Sequence, residues 1–329
     1  MSDSPVILVT ARMFGRTDGP AVRDLEAAGY RLRFPLERHR PLTAAEVEPL
    51  LDDVEVVIAG LEAWTDAMLR AAPRLRLICR FGVGYDSVDV DAATRRGILV
   101  AATPATNHTA VAEHTIGLAL AVMRRIAAQD AAVKRGAWLA EPGPELRGRT
   151  IGLVGLGRIG REVANLASAF GMRILAVEPA PDEAFVAAHG IALVDLPTLL
   201  GEADVVSLHV PLGPATRRMI DAAALARMKP GAYLINTARG GLVDEAALYE
   251  ALRSGRLAGA GLDVADGEPP TDWRLAQLPQ VVMTPHVAGL STDAIERMER
   301  SVVETILAVA RSERPPTLIN PEAGNRTRR

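Results

Sequence analysis

Short runs of aliphatic and β-branched residues alternate with stretches of helical periodicity along most of the chain. Residues 5–9, 54–58, 75–79 and 98–101 are apolar almost without interruption, which predicts strands covered on both faces. Amphipathic stretches at 19–28, 43–51 and 65–72 predict helices between these strands. This order of strands and helices is typical of a parallel sheet.

A long helix is predicted next, at residues 109–129, and its apolar residues on more than one face indicate that it packs against a large surface. The Gly- and Pro-rich segment 136–148 is a connection. A second alternating series begins at Thr150, with strands predicted at 151–155, 173–177, 204–209, 232–236, 258–263 and 281–284. A last helix is predicted at 291–311, and the tail 315–329 is expected to be frayed. The pattern predicts two doubly wound α/β units, and periodicity alone does not assign the last helix to either.

Composition supports two folded domains. The chain has 329 residues, of which 49% are hydrophobic and 23% charged, with a formal net charge of −3. At about 150 residues per domain, this length predicts two domains that each bury a core. The ordinary apolar content excludes a disordered chain, and the single cysteine, Cys79, excludes a disulfide scaffold.

The same features narrow the choice of location and partners. No apolar run approaches the roughly 20 residues that span a bilayer, and the acidic and polar N-terminus is unlike a secretory signal. A pI near 6.1 argues against a nucleic-acid-binding surface. We therefore expect a soluble cytoplasmic protein that binds neither membrane nor nucleic acid, and we predict no metal site.

A glycine-rich motif opens the second series. Gly155-Leu156-Gly157-Arg158-Ile159-Gly160 fits G-x-G-x-x-G, follows a predicted strand and opens a predicted helix at 158–170. Gly155 allows the tight turn, Gly157 lets the backbone approach a pyrophosphate, and Gly160 lets the helix pack closely. Glu178 ends the next strand, where its carboxylate would bind the adenosine ribose and repel a 2′-phosphate. The motif predicts NAD in preference to NADP, the alternative being a glycine turn without a ligand.

Polar side chains also follow the predicted strands of this series. Because ligands of open α/β sheets bind at the carboxyl ends of strands, Arg239, Glu268 and His286 are candidate catalytic residues. A histidine can take the hydroxyl proton of a secondary alcohol, a carboxylate can fix its tautomer, and an arginine can bind a substrate carboxylate. Individually they could instead be a surface ion-pair arginine, a turn carboxylate and a buried structural histidine. His209 is expected to be structural or to line the cofactor site.

Seven separated segments occur in a recognisable order: 80–89, 111–115, 145–150, 155–160, 236–245, 261–264 and 284–286. In this order they resemble the NAD-dependent D-2-hydroxyacid dehydrogenases, in particular the phosphoglycerate dehydrogenase-like branch. The resemblance runs from about Val54 to Gly289. It implies that His286 is the acid/base, that Glu268 is its partner, and that Arg239 anchors the substrate carboxylate and C2 oxygen.

The resemblance also implies binding residues. The backbone N–H groups of Val83 and Gly84 would hold the other side of the substrate carboxylate, and Arg80 could meet a second anion or form a strand-end ion pair. Asp263 would lie near the nicotinamide carboxamide. The implied cofactor contacts are Gly155, Gly157, Arg158, Ile159, Gly160, Glu178, His209, Val210, Pro211, Thr237, Ala238, Arg239, Asp263 and His286.

The implied architecture is discontinuous. A Rossmann NAD-binding domain at 104–289 would be inserted into a flavodoxin-like substrate domain formed by 1–103 and 290–329. The helix at 109–129 would form a homodimer interface, and the active site would lie in a cleft that closes by hinge motion near Pro104 and Gly289. Because the chain stops shortly after its last helix, we expect no additional regulatory domain.

The expected function is an NAD-dependent D-2-hydroxyacid dehydrogenase or 2-oxoacid reductase, with a substrate like 3-phosphoglycerate or glyoxylate and hydroxypyruvate. One alternative is a reductase of phosphonate- or sulfonate-bearing oxoacids with the same fold. A formate oxidoreductase is disfavoured because that branch has glutamine where this chain has Glu268. An alternative of another class is an NAD(H)-sensing corepressor-like protein.

Overall fold

The computed structural model describes residues 4–17, 19–35, 40–138 and 140–325. The chain forms two compact units: unit 1 comprises Met1–Asn107 and Gly289–Arg329, and unit 2 comprises His108–Ala288. The sequence predicts these limits at 103/104 and 289/290. Within the described residues, unit 1 contains a five-stranded sheet and unit 2 a seven-stranded sheet, and all paired strands are parallel. The predicted class of two parallel α/β sheets is confirmed.

Unit 1 has the strand order β2-β1-β3-β4-β5, which is the flavodoxin-like order. Its strands are β1 (Val6–Val9), β2 (Arg31–Arg33), β3 (Val54–Ala59), β4 (Leu77–Arg80) and β5 (Leu99–Ala101). Its helices are α1 (Ala21–Ala27), α2 (Ala44–Val47), α3 (Asp66–Arg70), α4 (Val90–Arg95) and, in the C-terminal segment, α12 (Thr292–Ala310). The predicted helix at 43–51 is the short α2 followed by a 3₁₀ turn, Glu48–Leu50.

The core of unit 1 lies on both faces of its sheet. On one face Val57 and Ile78 pack with Trp64 and Leu69, and the whole of Trp64 is buried. Helices α1 and α12 contact each other, and α12 also contacts β4. Strands β1 and β4 are buried along their whole length, and β1 is accordingly a continuous apolar run, whereas β4 ends in the buried Arg80.

The C-terminal tail of unit 1 is ordered, so the expectation of a frayed segment at 315–329 is wrong for its described part. Leu318 forms a bridge with Ala101 beside the edge strand β5. The buried Asn320 accepts a hydrogen bond from the Val100 N–H at 2.7 Å and donates one to the Ile98 carbonyl at 3.0 Å. The tail therefore covers the polar edge of β5, which hydropathy does not reveal. Residues 326–329 lie outside the described residues.

Unit 2 has the strand order β12-β11-β10-β9-β6-β7-β8, with the reversal of winding between β6 and β9. Its strands are β6 (Thr150–Val154), β7 (Arg173–Val177), β8 (Ala192–Leu193), β9 (Val205–Leu208), β10 (Ala232–Asn236), β11 (Leu257–Leu262) and β12 (Val281–Met283). Its helices are α5 (His108–Met123), α6 (Ile126–Lys134), α7 (Arg158–Ala169), α8 (Glu183–Ala188), α9 (Leu196–Glu202), α10 (Ala222–Arg227) and α11 (Glu245–Arg253).

The sheet of unit 2 is covered on both faces. Leu153 faces the side of α5 and α7, and Val154 faces the side of α9 to α11. Consecutive residues along a strand therefore pack into two different apolar layers, one on each face of the sheet, as expected for a parallel sheet between helices. Ligands of such sheets bind where the winding reverses, at the carboxyl ends of the strands.

The prediction of a single helix at 109–129 is wrong, because the structure has two separate helices there, α5 and α6. Arg125 adopts the left-handed conformation, with φ +53°, and its N–H donates to the Val122 carbonyl at 3.2 Å. A left-handed residue ends an α-helix after its last turn, and the apolar pattern continues across the break. In the described part of the chain, no helix is long and apolar enough to cross a membrane.

Candidate active site

The glycine loop lies between β6 and α7, next to the reversal of winding. Gly155 has φ +99°, and a Cβ on Gly160 would lie 2.3 Å from the Gly155 carbonyl oxygen. Only glycine at position 160 therefore allows α7 to begin this close to the loop. A Cβ on Gly157, which precedes α7, would meet no described atom within 4 Å, and no side chain caps the helix. The uncapped N–H groups of α7 and the open space beside Gly157 fit a pyrophosphate.

Glu178 follows β7 and binds the glycine loop directly. Its Oε2 accepts a hydrogen bond from the Leu156 N–H at 2.8 Å, and its Oε1 accepts one from the Ala180 N–H at 3.1 Å. The carboxylate therefore lies next to the loop, where an adenosine ribose is expected in this fold. Its predicted contact with the ribose stays a prediction.

Arg161, on the first turns of α7, is a loop-supporting residue that the sequence did not indicate. Its Nε donates to the Leu156 carbonyl at 3.1 Å, and its Nη1 pairs with Asp182 at 2.8 Å. Backbone hydrogen bonding at Phe185 and the charge of Arg161 hold the pKa of Asp182 below its ordinary value. Leu156 is thus held from both sides, by Glu178 at its N–H and by Arg161 at its carbonyl.

His209 follows β9 and contacts the same loop. Its backbone carbonyl lies against Gly155, and its Nε2 lies 2.9 Å from the Ser207 hydroxyl oxygen. Desolvation by the surrounding protein lowers the pKa of His209 to about 4, so its ring is neutral at pH 7. This state fits the structural role expected for His209, beside the cofactor contacts predicted at Val210 and Pro211.

His286 and Glu268 are brought together after β12 and β11. His286 Nδ1 lies 2.6 Å from Glu268 Oε2, and both side chains are about one-quarter exposed, at 22% and 24%. His286 has φ +53°, a conformation that is uncommon for a residue with a Cβ. Its backbone N–H donates to the Asp263 carbonyl at 2.8 Å. With Glu268 on Nδ1, the ring nitrogen left for proton exchange is Nε2.

Asp263 is buried at the end of β11 and holds the segment that carries His286. Its Oδ1 accepts hydrogen bonds from the Thr284 hydroxyl at 2.5 Å and the Val287 N–H at 2.9 Å. Its Oδ2 accepts one from the Ala288 N–H at 2.8 Å. The predicted contact of Asp263 with a nicotinamide carboxamide stays a prediction, and the structure shows the carboxylate anchoring residues 284–288.

Arg239 lies in the turn after β10. The buried Asn236 side chain shapes this turn, because its amide donates to the Arg239 carbonyl at 2.8 Å and its oxygen accepts from the Ala238 N–H at 3.0 Å. Arg239 Nη1 donates to the Ala238 carbonyl at 2.7 Å. The neighbouring Thr237 hydroxyl lies 2.9 Å from that of Thr115 on α5. Strand order places Arg239 at the same sheet edge as His286 and Glu268.

Gly240 and Glu245 support the site although the sequence assigned no role to either. A Cβ on Gly240 would lie 1.9 Å from the Ala265 carbonyl carbon, so the Arg239 turn and the segment before Glu268 touch backbone to backbone. Glu245 Oε1 accepts a hydrogen bond from the Asp266 N–H at 2.7 Å. Burial raises the pKa of the Glu245 carboxyl above its ordinary value. Both residues lie in the segment 236–245, and that sequence motif was the available signal.

In unit 1, the turn after β4 carries the predicted anion-binding groups. The Gly82 N–H is bonded to the buried Thr103 hydroxyl at 3.1 Å, while within the described residues the N–H groups of Val83 and Gly84 make no hydrogen bond. Arg80 is buried beneath the turn, and its Nη1 donates to the Phe81 carbonyl at 2.6 Å. The contact of Arg80 with a second anion stays a prediction.

The geometry of unit 2 defines a dinucleotide-binding α/β domain with an imidazole–carboxylate pair at the ligand-binding edge. Among the described residues, no group of three or more His, Cys, Asp or Glu side chains could hold a metal ion. The sequence model of the D-isomer specific 2-hydroxyacid dehydrogenase family, NAD binding domain, matches residues 116–288.

Individual proteins named as dehydrogenases or reductases of 2-hydroxyacids and 2-oxoacids are also similar to this chain. D-3-phosphoglycerate dehydrogenase of Mycobacterium leprae is 45% identical over 259 residues, which are 78% of this chain and 49% of that protein. Glyoxylate reductase of Korarchaeum cryptofilum is 43% identical over 278 residues, 82% of this chain and 84% of that protein. D-lactate dehydrogenase from Aquifex aeolicus, complexed with NAD and lactic acid, superposes with a TM-score of 0.84 at 30% identity, covering 96% of this chain and 99% of that one.

The chain belongs to the D-isomer specific 2-hydroxyacid dehydrogenase family. It spans about half the length of the mycobacterial D-3-phosphoglycerate dehydrogenases that it matches. The resemblance predicted from the seven sequence segments is confirmed, and so is NAD as the cofactor, since unit 2 matches the NAD binding domain of the family.

Proposed function

We propose that the protein is an NAD-dependent dehydrogenase of D-2-hydroxyacids, or in the reverse direction a reductase of 2-oxoacids. The 2.6 Å contact between His286 Nδ1 and Glu268 Oε2, at the ligand-binding edge of a dinucleotide-binding sheet, carries the proposal. A histidine held in this way can exchange a proton with a substrate oxygen near neutral pH.

In the reductive direction, the protein has one proton to deliver. NADH, when bound, supplies a hydride to C2 of the oxoacid. His286 gives the proton on Nε2 to the C2 oxygen, while its Nδ1–H remains bonded to Glu268. The Glu268 carboxylate stabilises the positively charged ring before the transfer and fixes the tautomer after it. In the oxidative direction, the same Nε2 accepts the hydroxyl proton.

Arg239 is proposed to bind the substrate carboxylate and the C2 oxygen through its guanidinium. The turn built by Asn236 supports this role, because it fixes the backbone on both sides of Arg239. In unit 1, we propose that the Val83 and Gly84 N–H groups form an anion-binding turn, since Thr103 fixes its first residue. Arg80 is proposed to act where the substrate carries a second anionic group.

The cofactor site is proposed to use the loop and strand ends described above. The N-terminus of α7, with Gly157, Arg158 and Ile159, would hold the pyrophosphate, and Glu178 the adenosine ribose. The nicotinamide half would contact the strand exits of β9, β10, β11 and β12. The residues proposed there are Val210, Pro211, Thr237, Ala238, Arg239, Asp263 and His286.

The names of the relatives suggest the substrates to test. We propose glyoxylate, hydroxypyruvate and phosphohydroxypyruvate as the first panel, because similar proteins are named for glyoxylate, hydroxypyruvate and D-3-phosphoglycerate. Phosphonate- and sulfonate-bearing oxoacids extend the panel to doubly anionic compounds. The assay is NADH consumption by the purified protein.

Two outcomes of this assay bear on the remaining proposals. A preference for doubly anionic oxoacids that is lost in Arg80→Met would support the role of Arg80. No consumption with any oxoacid would favour an NAD(H)-sensing protein.

We also propose that the protein is a cytoplasmic homodimer that associates through the region around α6. The helix buries none of its residues, and Ile126, Val133 and Trp138 are 53%, 49% and 90% exposed. Large exposed apolar side chains on one helix and in the segment after it are typical of a protein interface. Sedimentation velocity tests the proposal, with a monomer expected for Ile126→Glu/Trp138→Glu and a dimer for the control Phe170→Glu.

A further inference from the structure

His114 lies on α5, and the sequence assigned no role to it. Its Nε2 lies 2.9 Å from the Thr284 hydroxyl oxygen and 3.6 Å from Asp263 Oδ1. Its side chain is 27% exposed, whereas that of Asp263 is 1% exposed. An imidazole from a neighbouring helix therefore reaches the anchor of the segment that carries His286.

The hydrogen-bond count assigns the direction of this contact. Asp263 accepts two backbone N–H groups, from Val287 and Ala288, so its oxygens act as acceptors toward the Thr284 hydroxyl as well. Thr284 has a single hydroxyl hydrogen, which the 2.5 Å contact with Asp263 uses. Thr284 must then accept from His114, and His114 must carry a proton on Nε2. Both the neutral Nε2–H tautomer and the charged ring satisfy this requirement.

The chain of hydrogen bonds ends on a strained part of the site. His286 is held at φ +53° within the segment 284–288. Such a conformation persists when the surrounding structure fixes it, here through the bonds of Asp263 to Thr284, Val287 and Ala288. The direction of the His286 ring, and hence its contact with Glu268, depends on this backbone.

The residue after His114 makes an equivalent contact with the exit of β10, which β11 separates from β12. Thr115 donates its hydroxyl hydrogen to the Val111 carbonyl at 2.8 Å, so it accepts from the Thr237 hydroxyl at 2.9 Å. Two consecutive side chains of α5 thus hold the exits of β12 and β10, two residues before His286 and two residues before Arg239.

We infer that His114 is a positioning residue: its Nε2–H, acting through Thr284 and Asp263, sets the backbone that directs His286 toward Glu268. This inference rests on the proposed function, in which His286 exchanges the substrate proton. The kind of group required at position 114 is a hydrogen-bond donor at the place of Nε2, which the amide of a glutamine can supply and leucine cannot.

The test compares His114→Leu with His114→Gln in the full-length protein. We expect His114→Leu to lower kcat by about 10- to 100-fold, because small displacements of a proton-transfer group have effects of this size. The Kd of NADH should stay within about threefold, since a structural collapse of the domain would weaken it more. His114→Gln should restore kcat to within about threefold of the wild type. His189→Gln, a histidine of unit 2 bonded to the Phe185 carbonyl, is the matched control and should leave kcat unchanged.

Two further variants test whether His114 acts through the Thr284 hydroxyl. Thr284→Val removes the hydroxyl link and should lower kcat about as much as His114→Leu. The double variant His114→Leu/Thr284→Val should then lose no more than either single variant, because both interrupt one chain of hydrogen bonds. Additive losses, or equal losses in His114→Leu and His114→Gln, would overturn the inference in favour of a packing role.

A measurement that does not depend on substrate turnover tests the positioning role of His114 separately from the proposed function. The His286 Nδ1–H bonded to Glu268 should give a low-field proton signal in a ¹⁵N–¹H spectrum, identified by its loss in His286→Asn. We expect the signal to broaden or move in His114→Leu and to remain in His114→Gln. An unchanged signal in His114→Leu would overturn the positioning role. Failure of the wild type to reduce any oxoacid would instead reject the proposed function, whatever the spectra show.

Discussion

Glu268 Oε2 and His286 Nδ1 are 2.6 Å apart, although 18 residues separate them in the chain. The pair exists because β11 and β12 are neighbours in the sheet, so the segments that leave them reach the same edge. Replacing His286 with Ala should lower kcat by at least about 100-fold, since general acid–base catalysis contributes 10²- to 10⁴-fold. NADH binding, measured by fluorescence titration, should change little.

Glu268→Gln is the matched variant for this pair, because it keeps the shape and removes the charge. Loss of the carboxylate removes the group that stabilises the charged His286 ring and fixes its tautomer, so kcat should fall by at least about tenfold while the Kd of NADH changes little. Full turnover in either His286→Ala or Glu268→Gln would contradict the assigned roles.

Cofactor preference should depend on Glu178 and Asp182. Glu178→Ala removes the charge expected to repel a 2′-phosphate, and Asp182→Ala releases Arg161 from its 2.8 Å ion pair. The double variant should bind NADPH at least about tenfold better relative to NADH, as judged by the two dissociation constants. Glu202→Gln, which removes an exposed carboxylate of the same unit, should leave the ratio unchanged. If the double variant kept the wild-type ratio of the two dissociation constants, Glu178 and Asp182 would not determine the preference for NAD over NADP.

Gly240→Ala should disturb the backbone on which Arg239 and Glu268 depend. Its Cβ would lie 1.9 Å from the Ala265 carbonyl carbon, so the backbone before Glu268 must move. We expect a loss of about 1–3 kcal/mol in the free energy of unfolding and at least a tenfold lower kcat. Gly201→Ala is the control, because that Cβ meets nothing within 4 Å and lies in α9, where alanine should stabilise by about 0.5–1 kcal/mol. Equal stability and activity in the two variants would disprove the close approach.

Stability should fall in acid partly through His209. Its pKa is lowered from 6.5 to about 4 in the folded protein, so the unfolded chain binds this proton at higher pH than the folded chain does. The free energy of unfolding should therefore decrease as pH falls from 6.5 toward 4, by up to about 3 kcal/mol from this group. Urea denaturation at pH 7 and pH 4.5 measures the effect. His209→Gln should lose less stability over this interval than the wild type, and an equal loss would show that His209 does not contribute.

Much of the fold could be predicted from local patterns. Strands β7 and β10 have the predicted limits, and most other predicted strands differ from the observed ones by one or two residues. These strands are buried on both faces, so their apolar runs are continuous. The two strands that the sequence missed, β2 and β8, are short edge strands in which no residue is buried. Their positions depend on pairing with a neighbour, which hydropathy does not encode.

The errors have the same origin. Nothing in the apolar pattern at 109–129 indicates that Arg125 turns left-handed and divides the stretch into α5 and α6. The tail was expected to be frayed, yet the Asn320 side chain replaces a strand partner beside β5. The apolar pattern records neither the left-handed backbone of Arg125 nor the hydrogen bond between the Asn320 side chain and the distant Val100.

The sequence by itself determined the class of protein and the glycine loop, because both are written in contiguous segments with fixed spacing, and it predicted Arg239, Glu268 and His286 as the catalytic residues. Only the tertiary structure decided how those side chains are held. Glu178 and Arg161 fix Leu156, Gly240 lets two backbones touch, and His114 reaches Asp263 through Thr284. These contacts join residues on different strands and helices, and the geometry that brings them together arises when the sheet and its helices pack.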